Sequence, residues 1–291
     1  MKSTLAQEIY EPETVESTLQ LLTEKGDSAV IIAGGTDVVI KLKSRILVVK
    51  SIIDISKLPL NYIKGTRGKG IQIGATTTAS QIAMSEVIKR ELPVLSEAAV
   101  HLGGPQTQAL ATIGGNICNS SPSANLSNVL VALGASLIIT GTKGEREIPI
   151  DEFFVAPGAT KLNKNEILTA VVIPPIPDNY GASYIKQATR REMDIAVVGV
   201  AVFLILDVDI FKNIRIALAS VGPKVFLAEK AQALLIGNHY SRELVVKAAA
   251  SAAQEASYIT DVRATAAYRK RITPVVVSRA IEEAWLKRKG E

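Results

Sequence analysis

The run Val30-Ile31-Ile32-Ala33-Gly34-Gly35-Thr36-Asp37 joins a short apolar segment to a glycine pair and two small polar residues. Its apolar part, from Ala29 to Ala33, predicts a buried strand that ends at the glycines. A second glycine pair stands further along the chain, in Thr112-Ile113-Gly114-Gly115-Asn116. Glycine lets several backbone N–H groups approach an anion, because no Cβ intervenes and positive φ angles are open to it. Two such turns suit a diphosphate.

Length and composition predict a mixed α/β protein with two or three compact units. The chain has 291 residues, more than one hydrophobic core usually supports. Hydrophobic residues make up 47% but aromatic residues only 4%, so aliphatic side chains must supply most of the core. No apolar run approaches the roughly 20 residues that span a bilayer, and the first residues are polar. We therefore expect a cytoplasmic protein without a membrane span.

Residue counts argue against a metal centre on this chain. The single cysteine, Cys118, cannot supply the four thiolates of an iron–sulphur cluster. The two histidines, His101 and His239, lack the spacing of a zinc site. The net charge is +5, but the 33 basic residues are largely matched by 28 acidic ones. This balance indicates a solvated mixed surface and disfavours nucleic-acid binding.

Apolar spacing and capping residues predict the elements of the first part of the chain. A helix from Thr14 to Lys25, with Thr14 as N-cap, ends at Gly26. The other predicted elements are a strand at Ile52 to Ile55, a hairpin from Tyr62 to Gly74, a helix opened by the capping box Thr78-Ala79-Ser80-Gln81, helices at Pro93 to Val100 and Leu126 to Leu133, and strands at Ala135 to Thr140 and Ile167 to Ile173. The second glycine pair falls in a long irregular stretch, His101 to Asn125, of a kind that usually has a function.

The proline-rich stretch Pro174 to Asp178 predicts a domain boundary. Three strand-like runs follow it, and then three helical patterns. The strands are predicted at Ala182 to Lys186, Ile195 to Leu206 and Ile214 to Val221, and the helices at Val225 to Leu235, Arg242 to Ala256 and Ala264 to Lys289. Strands followed by helices are typical of an α+β unit with an antiparallel sheet.

Neither common nucleotide-binding fingerprint is present, since the sequence matches neither G-x-G-x-x-G nor G-x-x-x-x-G-K-[ST]. The ordered motifs instead resemble the flavoprotein subunit of the molybdenum hydroxylases, the group of xanthine dehydrogenase, aerobic carbon monoxide dehydrogenase and related aldehyde oxidoreductases. The matching segments are Ala33 to Asp37, Thr112 to Ile117 with Ser121-Pro122, Asp151 to Phe154 with Pro157-Gly158, Asn165 to Leu168, Tyr184 to Lys186, Arg190 to Ala196, and Asp261 to Ala264 with Tyr268-Arg269. The resemblance spans nearly the whole chain.

The resemblance implies an α+β fold with two parts. A two-lobed FAD-binding domain of the vanillyl-alcohol-oxidase type is expected over residues 1–176, with lobes of about 1–57 and 58–176. A small α+β domain like that of the carbon monoxide dehydrogenase flavoprotein, with a three-stranded antiparallel sheet and helices, is expected over 177–291. FAD is expected to lie between the lobes.

The resemblance also implies a set of cofactor-binding residues and no catalytic or metal-binding ones. The first turn would wrap the diphosphate through backbone N–H groups, and the second turn would meet it from the other side. Leu102 and Leu168 would pack near the flavin ring, and Lys186 would lie near its pyrimidine or reactive edge, where a cation stabilises the charge of reduced flavin. The complete set is Val30, Ile31, Ile32, Ala33, Gly34, Gly35, Thr36, Asp37, Leu102, Thr112, Ile113, Gly114, Gly115, Asn116, Asn125, Leu168 and Lys186.

One position departs from the family. Relatives commonly place an aspartate where this chain has Asn125, which would keep the helix N-cap role and could contact the cofactor through its amide. Taken alone, Lys186 is more typical of a solvated lysine at a strand end. His101 could be a base near the flavin, although a loop histidine is the simpler interpretation. Cys118 is most simply a small buried apolar residue.

The function implied is that of an oxidoreductase subunit in a heterotrimer. Electrons would pass from [2Fe–2S] clusters on a small partner through FAD to NAD⁺ or another acceptor, and a large partner would bind molybdopterin. The alternative is a free-standing flavin-dependent oxidoreductase on the same fold. Such an enzyme needs its own proton donor, and no convincing Ser, Glu or His constellation supplies one.

Overall fold

The structure is a computed structural model that describes residues 7–190 and 193–289. Its three main sheets follow one another along the chain, over residues 8–54, 63–173 and 180–227. Arg191 and Glu192, which belong to one of the family-like segments, lie outside the described residues, as do the first six residues.

The first lobe is a small parallel sheet with two helices. Its elements are β1 (Glu8–Tyr10), α1 (Val15–Lys25), β2 (Ala29–Ile32), α2 (Val38–Lys43) and β3 (Ser51–Asp54). The strand order is β1-β3-β2, with all strands parallel. The prediction for α1 is confirmed, because Thr14 accepts a hydrogen bond from the Ser17 N–H and Gly26 ends the helix. β2 also forms as predicted, but its residues are half-buried, and Ala29, Val30 and Ile31 line a cavity.

The second lobe is a five-stranded antiparallel sheet covered by short helices. Its strand order is β4-β5-β10-β6-β7. The elements are β4 (Ile63–Thr66), β5 (Gly70–Gly74), α3 (Ala79–Met84), α4 (Glu86–Glu91), α5 (Pro93–Val100), α6 (Pro105–Leu110), α7 (Ile113–Cys118), α8 (Asn125–Ala132), β6 (Ser136–Gly141), β7 (Gly144–Pro149), α9 (Ile150–Phe153), β8 (Phe154–Ala156), β9 (Ala159–Thr160) and β10 (Glu166–Ile173). The predicted hairpin and the capping box at Thr78 are confirmed.

The stretch from His101 to Asn125 was predicted to be irregular, and this is wrong. It contains α6 and α7, and the second glycine pair lies inside the first turn of α7, behind the N-cap Thr112. Each helix has only six residues, so neither shows enough periodic apolar positions to be read from sequence. The second pair is therefore a helix start and not a free loop.

The third unit is a four-stranded antiparallel sheet packed between the second lobe and three helices. Its elements are β11 (Tyr180–Gln187), β12 (Val198–Asp207), β13 (Ile210–Ala219), β14 (Phe226–Leu227), α10 (Glu229–Leu235), α11 (Arg242–Glu255) and α12 (Ala266–Leu286). Three long strands occur as expected, and the two-residue β14 adds a fourth where the start of a helix was predicted.

Alternate residues of β12 face the two sides of this sheet. Ala201 and Phe203 pack into the core of the second lobe, whereas Val200, Val202 and Leu204 pack against the three helices. Because both faces are buried, β12 is a continuous apolar run with no polar alternation. The third unit is thus held to the second lobe through a shared core, and β11 packs against α5 of that lobe.

Candidate cofactor site

A cavity of about 930 Å³ lies between the first and second lobes. Most of the predicted site residues line it: Val30, Ile31, Ala33, Gly34, Gly35, Thr36, Asp37, Leu102, Thr112, Gly114, Gly115, Asn116 and Leu168. Ile32, Ile113, Asn125 and Lys186 do not line it. Both glycine turns therefore meet at one cavity of the size that binds cofactors.

The first glycine pair sits where the two lobes touch. A Cβ added to Gly34 would lie 1.7 Å from the carbonyl oxygen of Leu110, at the end of α6. Gly35 has a φ of +71°, in the left-handed region that favours glycine. Gly34 is thus required by the approach of one backbone to another across the cleft.

The turn after β2 carries unused backbone donors. Within the part of the chain that the structure describes, the N–H groups of Gly34, Gly35, Thr36 and Asp37 donate no hydrogen bond to protein. All four residues line the cavity. Because exposed backbone donors on one concave turn bind anions, this segment is suited to a phosphate group.

The second glycine pair contributes differently. Its N–H groups are used inside the protein: Ile113 to the Thr77 oxygen at 2.9 Å, Gly114 to the Ala75 oxygen at 2.9 Å, Gly115 to Thr112 Oγ1 at 3.1 Å and Asn116 to the Thr112 oxygen at 2.9 Å. The prediction that both turns offer free backbone donors therefore holds only for the first turn.

α7 leaves open space beside the cavity at Gly115 and contributes one hydrogen-bond acceptor, the side chain of Asn116. A Cβ on Gly114 would lie 2.7 Å from the Ala75 oxygen, so Gly114 serves internal packing. A Cβ on Gly115 would meet only Thr112 Oγ1, at 3.0 Å. The Oδ1 atom of Asn116 is buried without a hydrogen-bond partner within the described residues. A buried unpaired acceptor is costly, so Asn116 is suited to a donor on a bound ligand.

Lys186 and Asn125 converge on one backbone carbonyl beside the cavity. Lys186 Nζ donates to the His101 oxygen at 2.9 Å, and Asn125 Nδ2 donates to the same oxygen at 2.6 Å. Burial lowers the pKa of Lys186, although the charge of Asp194 acts against this shift. The next residue, Leu102, lines the cavity. The two side chains therefore fix the backbone that presents Leu102.

The prediction that Asn125 caps α8 is wrong. Ala124 is the N-cap, and Asn125 is the first helical residue with its side chain turned toward His101. The His101 ring lies 6.2 Å from the Tyr184 ring, and His101 does not line the cavity. Sequence spacing could not reveal these contacts, because Lys186 and His101 are brought together only by the packing of β11 against the second lobe.

Cys118 lines the cavity, but its thiol has low reactivity. Burial raises the pKa of its thiol to about 12, so the thiolate that would react is suppressed at neutral pH. Its neighbours are those of the second lobe's core. The interpretation of Cys118 as a small apolar residue agrees with this position.

Polar side chains from both lobes meet at the cavity wall. Lys41 Nζ, on α2, donates to Asn119 Oδ1 at 2.7 Å. Lys164 forms an ion pair with Asp27 at 2.6 Å across the cleft. All four residues line the cavity, and sequence motifs marked none of them. These contacts tie the two lobes together around the site.

Across residues 7–190 and 193–289, no group of three or more histidine, cysteine, aspartate or glutamate side chains is arranged to hold a metal ion. Over the same residues, no helix is both long and apolar enough to cross a membrane.

The fold and the cavity are those of a protein that binds a dinucleotide between two lobes. Free backbone donors and the open side of the helix at Gly115 fit a diphosphate held between two lobes, and the unpaired Asn116 acceptor fits a hydrogen-bond donor elsewhere on the same ligand. Family models agree: residues 4–176 match the FAD binding domain in molybdopterin dehydrogenase, and residues 183–284 match the CO dehydrogenase flavoprotein C-terminal domain. The chain belongs to this family, and its cofactor is FAD.

The similarity to individual relatives covers nearly the whole chain. The carbon monoxide dehydrogenase medium chain of Hydrogenophaga pseudoflava is 30% identical over 280 residues, covering 96% of each chain. A putative xanthine dehydrogenase FAD-binding subunit of Escherichia coli is 31% identical over 273 residues, covering 93% of each. A solved structure of the Hydrogenophaga enzyme, lacking the Mo-pyranopterin moiety of its cofactor, superposes with a TM-score of 0.93 and 31% identity over 97% of this chain and 98% of that one.

Proposed function

We propose that this chain is the electron-transfer subunit of a multisubunit molybdenum hydroxylase. A large partner would bind molybdopterin, and a small partner would carry [2Fe–2S] clusters. Bound FAD supplies the capacity to receive electrons singly and release them as a pair to NAD⁺ or another acceptor. The names of its relatives, a medium chain and an FAD-binding subunit, support an assembly of several chains.

The observation that carries the proposal is the run of free N–H groups from Gly34 to Asp37 on the cavity wall. These groups would hold the diphosphate, and Asn116 Oδ1 would accept a hydrogen bond from the cofactor. Leu102 and Leu168 would exclude water from the flavin ring. Lys186 and Asn125 would act on Leu102 through the His101 carbonyl and not by direct contact.

The extents of the units are part of the proposal. We assign residues 1–176 to the FAD-binding domain, with lobes meeting near residue 57, and 177–291 to the C-terminal domain. The cytoplasmic location expected from the sequence stays a prediction.

The test is reconstitution followed by isolation of the assembly. Purified chain should take up FAD in a one-to-one ratio and show bands near roughly 370 and 450 nm, as oxidised flavins do. Isolation from the native source should yield a large and a small partner. A chain that never retains FAD, or one that oxidises a substrate efficiently on its own, would count against the proposal.

Gly115→Ala is expected to weaken FAD binding about tenfold, or about 1.4 kcal/mol, because a methyl group would enter the space next to the diphosphate. Its stability should change little. Alanine favours the helix by about 0.5–1 kcal/mol, which offsets strain on the Thr112 cap. Isothermal titration and thermal unfolding measure the two quantities.

The matched control is Gly114→Ala, in the same helical turn. Its Cβ would press on the Ala75 oxygen, so the variant should lose stability by about 1–3 kcal/mol. Equal FAD affinity in Gly115→Ala and the parent chain would exclude Gly115 from the cofactor's surroundings.

A further inference from the structure

The segment between Asp37 and Asp54 has an unusual charge pattern. Its sixteen residues contain Lys41, Lys43, Arg45 and Lys50 and no carboxylate. The rest of the chain mixes both signs, with 33 basic and 28 acidic residues overall. The segment covers α2 and its connection to β3.

Backbone hydrogen bonds fold this connection against α2. The N–H groups of Ile46 and Leu47 both donate to the Lys41 oxygen, at 2.9 and 3.1 Å. The turn is closed at Arg45, whose φ is +56°. These bonds place Ile46 and Leu47 against the C-terminal end of α2, and Ile40 on α2 and Val48 after the turn both line the same cavity.

Large aliphatic side chains are displayed on the surface of this segment. Ile40 is 63% exposed, Ile46 is 78% exposed and Val48 is 81% exposed. In the same segment, the exposed Lys43, Arg45 and Lys50 form no ion pair with any residue that the structure describes. We call Ile40, Lys43, Arg45, Ile46, Val48 and Lys50 the basic–apolar patch.

The patch is continuous with the rim of the cofactor cavity. Ile40 and Val48 belong to it and also line the cavity, as do the neighbouring Leu47 and Val49. A protein seated on the patch would therefore lie directly beside the cofactor.

We propose that the basic–apolar patch is the docking surface for the partner chain that delivers electrons to the cavity. This inference rests on the proposed function. The partner's matching surface has an apolar centre and an acidic rim, because exposed aliphatic clusters mark interfaces and unpaired cations select the opposite charge. A free anion would satisfy the cations but leave the aliphatic side chains in water, so a protein surface fits better.

Two variants test the apolar and the charged parts separately in the co-expressed complex. Ile46→Asp puts a charge into the apolar centre without touching the cavity, and Lys43→Glu reverses one rim charge. Each should lower recovery of the electron-delivering partner with the tagged chain, by at least about tenfold for Ile46→Asp. The complex of the Lys43→Glu variant should also dissociate at a lower salt concentration than the parent complex, because salt screens the interactions of charges at the rim of an interface.

Matched controls lie on the third unit. Val208→Asp changes a valine that is 81% exposed, and Lys212→Glu reverses an exposed lysine on β13. Both should assemble like the parent chain. All four variants should retain FAD, so a failure to bind FAD or to recover any partner with the parent chain would count against the proposed function instead.

Normal assembly of Ile46→Asp and Lys43→Glu, with FAD bound, would overturn the docking proposal. So would a loss of binding to phosphatidylserine vesicles in these variants while the complex stays intact, because the patch would then be a membrane-binding surface. Partner loss confined to the two patch variants supports it.

Discussion

Gly34→Ala is expected to lower FAD affinity at least about a hundredfold, or about 2.8 kcal/mol. The added Cβ would lie 1.7 Å from the Leu110 oxygen, and both groups belong to backbone that cannot rotate away. The turn after β2 must therefore shift, and its four free N–H groups move with it. Overpacking of this kind usually costs about 1–3 kcal/mol of stability as well. Fluorescence titration of the apoprotein with FAD gives the affinity, and thermal unfolding gives the stability.

Gly68→Ala is the control for this substitution. Gly68 lies at the tip of the β4–β5 hairpin, where an added Cβ meets no atom within 4 Å and φ is outside the left-handed region. The control should bind FAD like the parent chain. Parental affinity in Gly34→Ala would show that the contact between the lobes does not position the diphosphate-binding turn.

The first glycine turn shows what sequence can predict. An apolar run of strand length that ends in two glycines and small polar residues predicts a strand followed by a tight turn. β2 and the turn after it have this structure. The reason for the first glycine is different from the one predicted. Gly34 is required by Leu110, from another lobe, and only the tertiary structure brings them together.

The second turn shows where local patterns mislead. Pro105 and Thr112 are good helix-start signals, but helices of six residues give too little periodicity to be recognised. Asn125 is likewise a residue type that favours N-caps, yet its amide donates to the His101 carbonyl because α5, which ends at His101, packs against α8. Tertiary contacts override local preference at both positions.

The third unit contains a feature that composition cannot reveal, a buried arginine. Arg269 on α12 is only 2% exposed, and its guanidinium holds three chain segments together. Nη1 donates to the Val197 oxygen at 2.6 Å and to the Ser220 oxygen at 2.9 Å, and Nη2 pairs with Asp261 at 2.8 Å. Val197 and Ser220 border the long strands β12 and β13, so Arg269 ties the helix to the sheet.

Arg269→Met is expected to destabilise the protein by about 3–5 kcal/mol, the range found when one partner of a buried ion pair is removed. Methionine fills much of the volume but leaves the Val197 and Ser220 carbonyl groups without their donor. Urea unfolding of the two proteins at neutral pH gives the difference. Arg263→Met is the control. Arg263 contacts the same Asp261 at 3.1 Å but is 35% exposed, so its loss should cost less than about 1 kcal/mol.

The pH dependence of the unfolding free energy distinguishes the contribution of the Arg269–Asp261 ion pair from that of side-chain packing. Partial burial would raise the pKa of Asp261, but hydrogen bonds from the Arg263 and Ala264 N–H groups and the Arg269 charge outweigh it and bring the pKa to about 2. An unfolded aspartate titrates near 3.9. Because the folded pKa is the lower one, this carboxylate stabilises the fold above about pH 4, and that contribution is lost as the pH falls toward 2. The stability gap between Arg269→Met and the parent chain should therefore narrow between pH 5 and about pH 2, whereas a gap that stays constant over this range would assign the whole effect to packing.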